Sequence, residues 1–119
     1  MKTLKIAEEF TIDPSGRFYT DGEGSGEEFR EDLLREKLSG LDDGEKLSII
    51  LDEGVNSYGS SFLVEGFAGI VKYGYMKPKE FLDKIQFSYT DPDYAFYKDR
   101  IVTYINEAKY KSKIYKKTK

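Results

Sequence analysis

The chain of 119 residues contains no cysteine and no histidine, and these two absences exclude more chemistry than any other feature of the sequence. Without cysteine there is no disulfide bond and no thiol nucleophile. Without histidine the ordinary Ser-His-Asp triad is excluded, and without either residue zinc sites of the usual kind are excluded as well. The acidic residues do not show the spacing of a magnesium or calcium loop. We therefore expect no cofactor, no metal site and no enzymatic activity.

Long hydrophobic runs are also missing. The longest one, residues 47–51 with one serine among them, is far too short to cross a membrane. Near the N-terminus, Glu8 and Glu9 interrupt the apolar core that a signal peptide needs. A hydrophobic content of 39% in a chain of this length fits one globular domain. We expect a cytoplasmic protein that does not associate with membranes.

Charge is distributed unevenly along the chain. From Lys109 onward there are six lysines and no acid, whereas the other 108 residues hold 13 of the 19 basic residues and all 22 acidic ones, a net charge near −9. An acidic body does not attract nucleic acid. We therefore divide the chain into a domain at residues 1–108 and a basic tail at 109–119, which is either the end of the last helix or disordered. Nucleic-acid binding through this tail is the weaker alternative.

The hydrophobic pattern predicts an alternation of strands and helices. Alternating apolar residues predict a first strand within residues 2–10, and the turn chemistry at 13–16 predicts that residues 17–20 return as the second strand of a hairpin. Residues 46–51 read as a central strand covered on both faces, and residues 85–89 as the last strand. Apolar spacing of three and four predicts helices at 27–38, 60–73, 77–84 and 92–108. This order predicts an α/β fold with a mixed β-sheet of about four strands packed with about four helices.

Glycines mark two positions in this pattern. The glycine-rich residues 21–26 lack the Gly-Lys-Ser/Thr ending of a phosphate-binding loop, and neighbouring glutamates would repel a phosphate. Ser25 followed three positions later by Glu28 is instead a capping box for the first long helix. In the helix at 60–73, Gly66 and Gly69 predict that the helix approaches the sheet closely, because glycine otherwise weakens a helix.

Residues 47–74 connect a buried strand, through a polar turn, to a helix that starts at Ser60 or Ser61. The backbone N–H groups at such a start are unpaired and carry partial positive charge. A serine there is either an ordinary helix cap or a place where a phosphate is bound or attached. The residues alone leave both interpretations open.

Two segments resemble one protein family. They are GRFYTDG with SGEEFR, at residues 16–22 and 25–30, and GVNSYGSSFLVEGF at residues 54–67. In this order they are similar to the STAS-like domains of unknown function, small bacterial relatives of anti-sigma factor antagonists. The resemblance covers roughly residues 12–90 and implies a single STAS-like domain.

In anti-sigma factor antagonists an Asp-Ser-Ser-Gly-Leu sequence starts the helix, and a partner kinase with the histidine-kinase-like ATPase fold phosphorylates its first serine. The resemblance places Ser60 at this phosphorylated position, with Ser61 beside it and Leu63 at the leucine. Gly59 stands in place of the aspartate, and Phe62 in place of the glycine.

The resemblance implies a non-catalytic protein-interaction module, a partner switch regulated by phosphate at Ser60, whose partner is a histidine-kinase-like ATPase or an anti-sigma-type kinase. The candidate phosphorylation sites are Ser60 and Ser61. The candidate partner-binding residues are Asn56, Ser57, Tyr58, Gly59, Ser60, Ser61 and Glu65.

Three alternatives remain open. The serines can be a purely structural cap in a domain that binds another ligand or partner. A small enzyme can use the carboxylates of Asp52 and Glu65 as bases. A nucleic-acid binder can use the lysine-rich tail.

Overall fold

The computed structural model describes residues 2–119, and its sheet consists of three short parallel strands. These are β1 (Lys2–Lys5), β2 (Leu47–Ile50) and β3 (Ile85–Ser88). β2 lies in the middle, and the register places Ile49 between Leu4 and Phe87. Parallel neighbours cannot be joined by a tight turn, so long connections that contain helices link the three strands.

Five helices accompany the sheet among residues 2–119: α1 (Ile6–Glu9), α2 (26–39), α3 (60–72), α4 (Pro78–Lys84) and α5 (Ala95–Glu107). The predicted helices at 27–38, 60–73, 77–84 and 92–108 are confirmed as α2 to α5, because apolar spacing within one helix is a local signal. α2 and α3 each contain a stretch of wider π-type turns, at Phe29–Leu34 and Val64–Ala68. No helix in the described part of the chain is long and apolar enough to span a membrane.

The predicted mixed sheet of about four strands is wrong, because the hairpin at 13–20 does not form. Residues 6–9 turn into a helix, and Tyr19–Asp21 is a short 3-10 turn. The Asp21 carboxylate accepts the backbone N–H groups of Arg17 and Phe18 at 3.1 and 2.9 Å, and the Glu27 carboxylate accepts that of Tyr19 at 3.0 Å. The donors that a second strand needs are therefore bound to side chains.

The core lies between one face of the sheet and the helices. Leu4, Leu47 and Ile49 are fully buried on the sheet side. Phe67 of α3 contacts the ring of Phe87 on β3 edge-on, with 6.0 Å between centroids. The other aromatic rings of the core cluster around Phe29 and extend the contact to α2.

The opposite face of the sheet is polar. Thr3, Gln86 and Ser88 are exposed there, Ile50 is half-buried, and only Ser48 of the central strand is buried. The prediction of a central strand is confirmed, whereas the prediction that helices cover both faces is wrong. Right-handed crossovers that proceed in one direction across a sheet place their helices on the same face.

α2 and α3 meet at two glycines. A Cβ atom added to Gly26 would lie 2.7 Å from the carbonyl oxygen of Phe62 and 2.8 Å from the nitrogen of Gly66, closer than real Cβ atoms come. A Cβ atom on Gly69 would lie 2.5 Å from Nη1 of Arg30. The close approach predicted for Gly66 and Gly69 is therefore real, but its partner is α2 and not the sheet.

The start of α2 confirms half of the predicted capping box. The Ser25 hydroxyl accepts the N–H of Glu28 at 3.2 Å. The Glu28 carboxylate accepts the N–H of Gly24, one residue earlier than a capping box requires, at 3.1 Å. The glycine-rich loop thus serves as a helix cap.

The basic tail does not extend the last helix, because α5 ends at Glu107. The tail runs back along the end of α3 instead. The N–H of Lys111 donates to the carbonyl of Val71 at 3.1 Å, and that of Lys113 to the carbonyl of Lys72 at 3.0 Å.

Candidate functional site

The candidate site is the serine turn, residues 56–61, which leads into α3. Ser60 is the first residue of the helix, and Gly59 occupies the N-cap position with extended backbone angles. The N–H of Gly59 donates to the carbonyl of Pro14 at 3.1 Å, and the first bond within the helix runs from the N–H of Leu63 to the carbonyl of Gly59. The N–H groups of the three residues between them have no acceptor within the helix.

Neither serine caps the helix, so the predicted structural cap is not formed. Ser60 is exposed and Ser61 half-buried, and within residues 2–119 neither hydroxyl forms a hydrogen bond. The physical reason is the bond from Gly59 to Pro14, which fixes Gly59 as the cap and moves both serines into the first turn. The Ser60 hydroxyl is therefore free to react or to bind.

An open depression of about 550 Å³ lies beside this helix start. Its walls are formed by the loop before α2 and by the turn: Gly16, Arg17, Phe18, Asp21, Gly59, Ser60 and Ser61. The Asp21 carboxylate is already engaged with two backbone N–H groups of its own loop. Arg17 and Asp21 thus place one cation and one anion in the depression, beside N–H groups that carry partial positive charge.

The other predicted partner-binding residues divide into two groups. Asn56 and Ser57 are exposed in the turn. Tyr58 is buried, its hydroxyl donates to the carbonyl of Leu51 at 2.7 Å, and burial raises the pKa of its phenol. Glu65 is buried as well. Asn56, Ser57 and Ser60 are thus exposed, Gly59 and Ser61 are half-buried, and Tyr58 and Glu65 lie inside.

Glu65 lies in a buried cluster with Arg30, a residue that the sequence pattern did not single out. Nη1 of Arg30 donates to Oε2 of Glu65 at 2.8 Å and to the Glu65 carbonyl at 2.7 Å, and Nε donates to Glu31 at 2.8 Å. The guanidinium lies over the rings of Tyr73 and Tyr115, 4.5 and 5.0 Å from their centroids. Burial opposes the charge of Arg30, but the hydrogen bonds of both glutamates outweigh it and raise its pKa.

This cluster is structural. The Tyr73 hydroxyl donates to Oε2 of Glu65 at 2.8 Å, and burial together with this bond raises the pKa of Tyr73. The signal in the sequence was an arginine adjacent to Phe29 on the apolar side of α2. Charged residues are read as exposed unless a partner is known, so this signal was missed.

Asp52 follows the carboxyl end of β2 and binds the segment that follows β3. Its Oδ2 accepts the N–H of Thr90 at 2.7 Å, the Thr90 hydroxyl at 3.1 Å and the N–H of Asp91 at 2.9 Å. Burial would raise the pKa of Asp52, but these hydrogen bonds outweigh it and lower the pKa. A lowered pKa makes a carboxylate a weaker general base. Asp52 and Glu65, the two carboxylates of the enzyme alternative, thus belong to separate structural networks.

Glu27 binds the basic tail. Its buried carboxylate accepts the hydroxyls of Tyr115 and Thr118, both at 2.6 Å, and the N–H of Thr118 at 3.1 Å. Burial would raise the pKa of Glu27, but the bonds from Thr118 and Tyr115 outweigh it and lower the pKa. Lys117 and Lys119 lie over the ring of Tyr19. The tail is therefore packed against the domain.

Within residues 2–119, no group of three or more acidic side chains is placed to hold a metal ion. No family model, no curated protein and no solved structure matches the chain. The similarity of its motifs to STAS-like domains stays a prediction.

Proposed function

We propose that this protein is a non-catalytic protein-interaction module that binds its partner through the serine turn. The observation that carries the proposal is the free, exposed Ser60 hydroxyl at the start of α3, beside Arg17. Exposed Asn56 and Ser57 add short polar side chains that adapt to a partner surface.

Phosphorylation of Ser60 regulates this surface. A phosphoserine carries a charge of about −1.5 to −2 and three acceptor oxygens. The unpaired N–H groups of the helix start favour that charge, and Arg17 lies in the same depression. The phosphate therefore costs the free domain little stability. It places bulk and charge where the partner docks, so its penalty falls on the complex, as a switch requires.

The partner class follows from the motif at residues 59–63, which resembles the phosphorylated motif of anti-sigma factor antagonists. A histidine-kinase-like ATPase or an anti-sigma-type kinase is the partner that this resemblance supports. Gly59 in place of the aspartate marks a difference in how such a kinase would recognise the turn.

Intact-mass analysis after co-expression with a histidine-kinase-like ATPase from the same cell tests the switch. We expect one added phosphate, which Ser60→Ala abolishes and the neighbouring variant Ser61→Ala retains. The absence of phosphate, or phosphate on any other residue, would contradict regulation at Ser60. Binding of the unmodified domain to the same ATPase, measured by calorimetry, tests the interaction separately.

A further inference from the structure

A groove of about 260 Å³ lies on the other side of Ser60, between α3 and α5. Its walls include Ser60 and Leu63 from α3, and Phe96, Tyr97, Arg100 and Tyr104 from α5. The groove therefore borders the serine turn without being part of the depression that contains Arg17.

The aromatic side of the groove is exposed but held in place. The side chain of Phe96 is 57% exposed. Its ring packs edge-on against Tyr97 at 5.5 Å between centroids, and Tyr97 packs edge-on against buried Tyr58 at 5.0 Å. Phe96 is thus the outer end of a row of rings that is anchored in the core. Rigid aromatic side chains of this kind dominate the binding energy of protein interfaces.

Arg100 gives the groove its charge. Its guanidinium lies over the Phe96 ring, 5.0 Å from the centroid, and no acidic side chain in the described part of the chain pairs with it. The other residues that line the groove are uncharged. An arginine on an aromatic face is pre-organised to bind a carboxylate.

We propose that this groove binds an acidic segment of the protein partner, with an apolar side chain against Phe96 and Tyr97 and a carboxylate on Arg100. The inference rests on the proposed interaction function and identifies its docking surface. Charge complementarity selects this occupant, because the groove offers an arginine with no acidic partner. A nucleic acid needs several cations to neutralise its phosphates, whereas Arg100 is the one charged residue that lines this groove.

The position of Ser60 on the wall of the groove explains how a phosphate would act on binding. A phosphate attached there adds negative charge at the wall of the groove and repels the partner's carboxylate, while the aromatic wall stays unchanged. Phosphorylation weakens docking of acidic segments and leaves the fold intact.

Selection from a random peptide library displayed on phage, against the full chain, tests this proposal. We expect enriched peptides that combine Asp or Glu with an aromatic or aliphatic residue. Their affinity, measured by fluorescence anisotropy, should fall about tenfold or more, equivalent to about 1.4 kcal/mol, in Phe96→Ala and in Arg100→Gln. Lys98→Gln is the matched control, an exposed cation on the same helix, and should leave the affinity within about twofold.

Three results would overturn the proposal that the groove binds an acidic segment: no enriched peptide, a basic consensus among the peptides, or equal binding by the wild type and both groove variants. Both substitutions lie on side chains that are exposed, and unchanged thermal unfolding verifies that the variants fold. Ser60→Glu in the same assay separates the two proposals. Weaker peptide binding by Ser60→Glu supports both proposals. Binding equal to that of the wild type supports the groove as the docking surface and contradicts regulation by phosphate at Ser60.

Discussion

Arg30 shows what a single buried charge requires of its surroundings. Its side chain is fully buried, and two glutamates, a backbone carbonyl and two tyrosine rings surround it. Removal of one partner from a buried ion pair leaves an uncompensated charge, which costs far more than the pair contributes. Glu65, predicted as a partner contact, is one of these two glutamates and is itself buried.

Glu65→Gln should lower the free energy of unfolding by about 3 kcal/mol, because buried Arg30 stays charged and loses one of its two carboxylate partners, with only Glu31 left. Urea unfolding followed by circular dichroism measures the loss. Glu107→Gln is the control, since Glu107 is exposed at the end of α5, and it should change stability by less than about 0.5 kcal/mol. Equal stability of the two variants would contradict the structural role of Glu65.

Gly26→Ala should destabilise the protein by about 2 kcal/mol, because the added methyl group overlaps the backbone of α3 at Phe62 and Gly66. Gly40→Ala is the matched control, with a φ of −86° and ordinary contacts beyond 3.6 Å. It should be neutral or stabilising, because alanine restricts the unfolded chain. The same urea experiment distinguishes them, and a Gly26→Ala protein as stable as wild type would refute the close helix contact.

At the scale of elements, the tail at residues 109–119 behaves as part of the domain. It supplies three of the four hydrogen bonds that the buried Glu27 carboxylate accepts, and one of the two rings against Arg30. Its lysines read as a solvated helix end in the sequence, because nothing local indicates that Tyr115 and Thr118 return to residue 27.

Deletion of residues 109–119 should therefore lower the free energy of unfolding by at least about 2 kcal/mol, since a buried carboxylate loses its hydroxyl donors. Differential scanning calorimetry measures the accompanying fall in melting temperature. Lys116→Gln removes a tail charge without touching these bonds and serves as the control, with no expected change. A truncated chain as stable as the full one would show that the tail contributes nothing to the fold.

For the whole molecule, the sequence predicts the helices far better than the sheet. Helix α5 can be predicted from the apolar spacing within one segment. The predicted hairpin is wrong, because the carboxylates of Asp21 and Glu27 accept the backbone N–H groups of residues 17–19. The start of α3 at Ser60 was predicted correctly from the local pattern. The groove at Phe96 and Arg100 was not, because it exists only where α5 packs beside α3.

The same lack of histidine that excludes a triad also shapes how stability depends on pH. No histidine or cysteine side chain titrates near neutrality. The pKa values of Glu27 and Asp52 are lowered in the folded state from ordinary values of 4.5 and 3.8. A lowered carboxylate pKa contributes stability that is fully present above the unfolded value and is lost as the pH falls through the folded one. Stability should therefore be flat near neutrality and fall below about pH 4.5.

Glu27→Gln isolates the contribution of the tail contacts to the loss of stability at acid pH. At about pH 7 the variant should be less stable than wild type, because an amide cannot serve as a charged acceptor for Tyr115 and Thr118. As the pH falls from 4.5 through the lowered pKa of folded Glu27, the wild type loses the stability that the charged carboxylate contributes, so the two unfolding curves should converge. Urea midpoints measured across the acid range test this. Glu107→Gln is the control, and its midpoints should follow those of the wild type. A difference that stays constant with pH would mean that the Glu27 charge does not hold the tail.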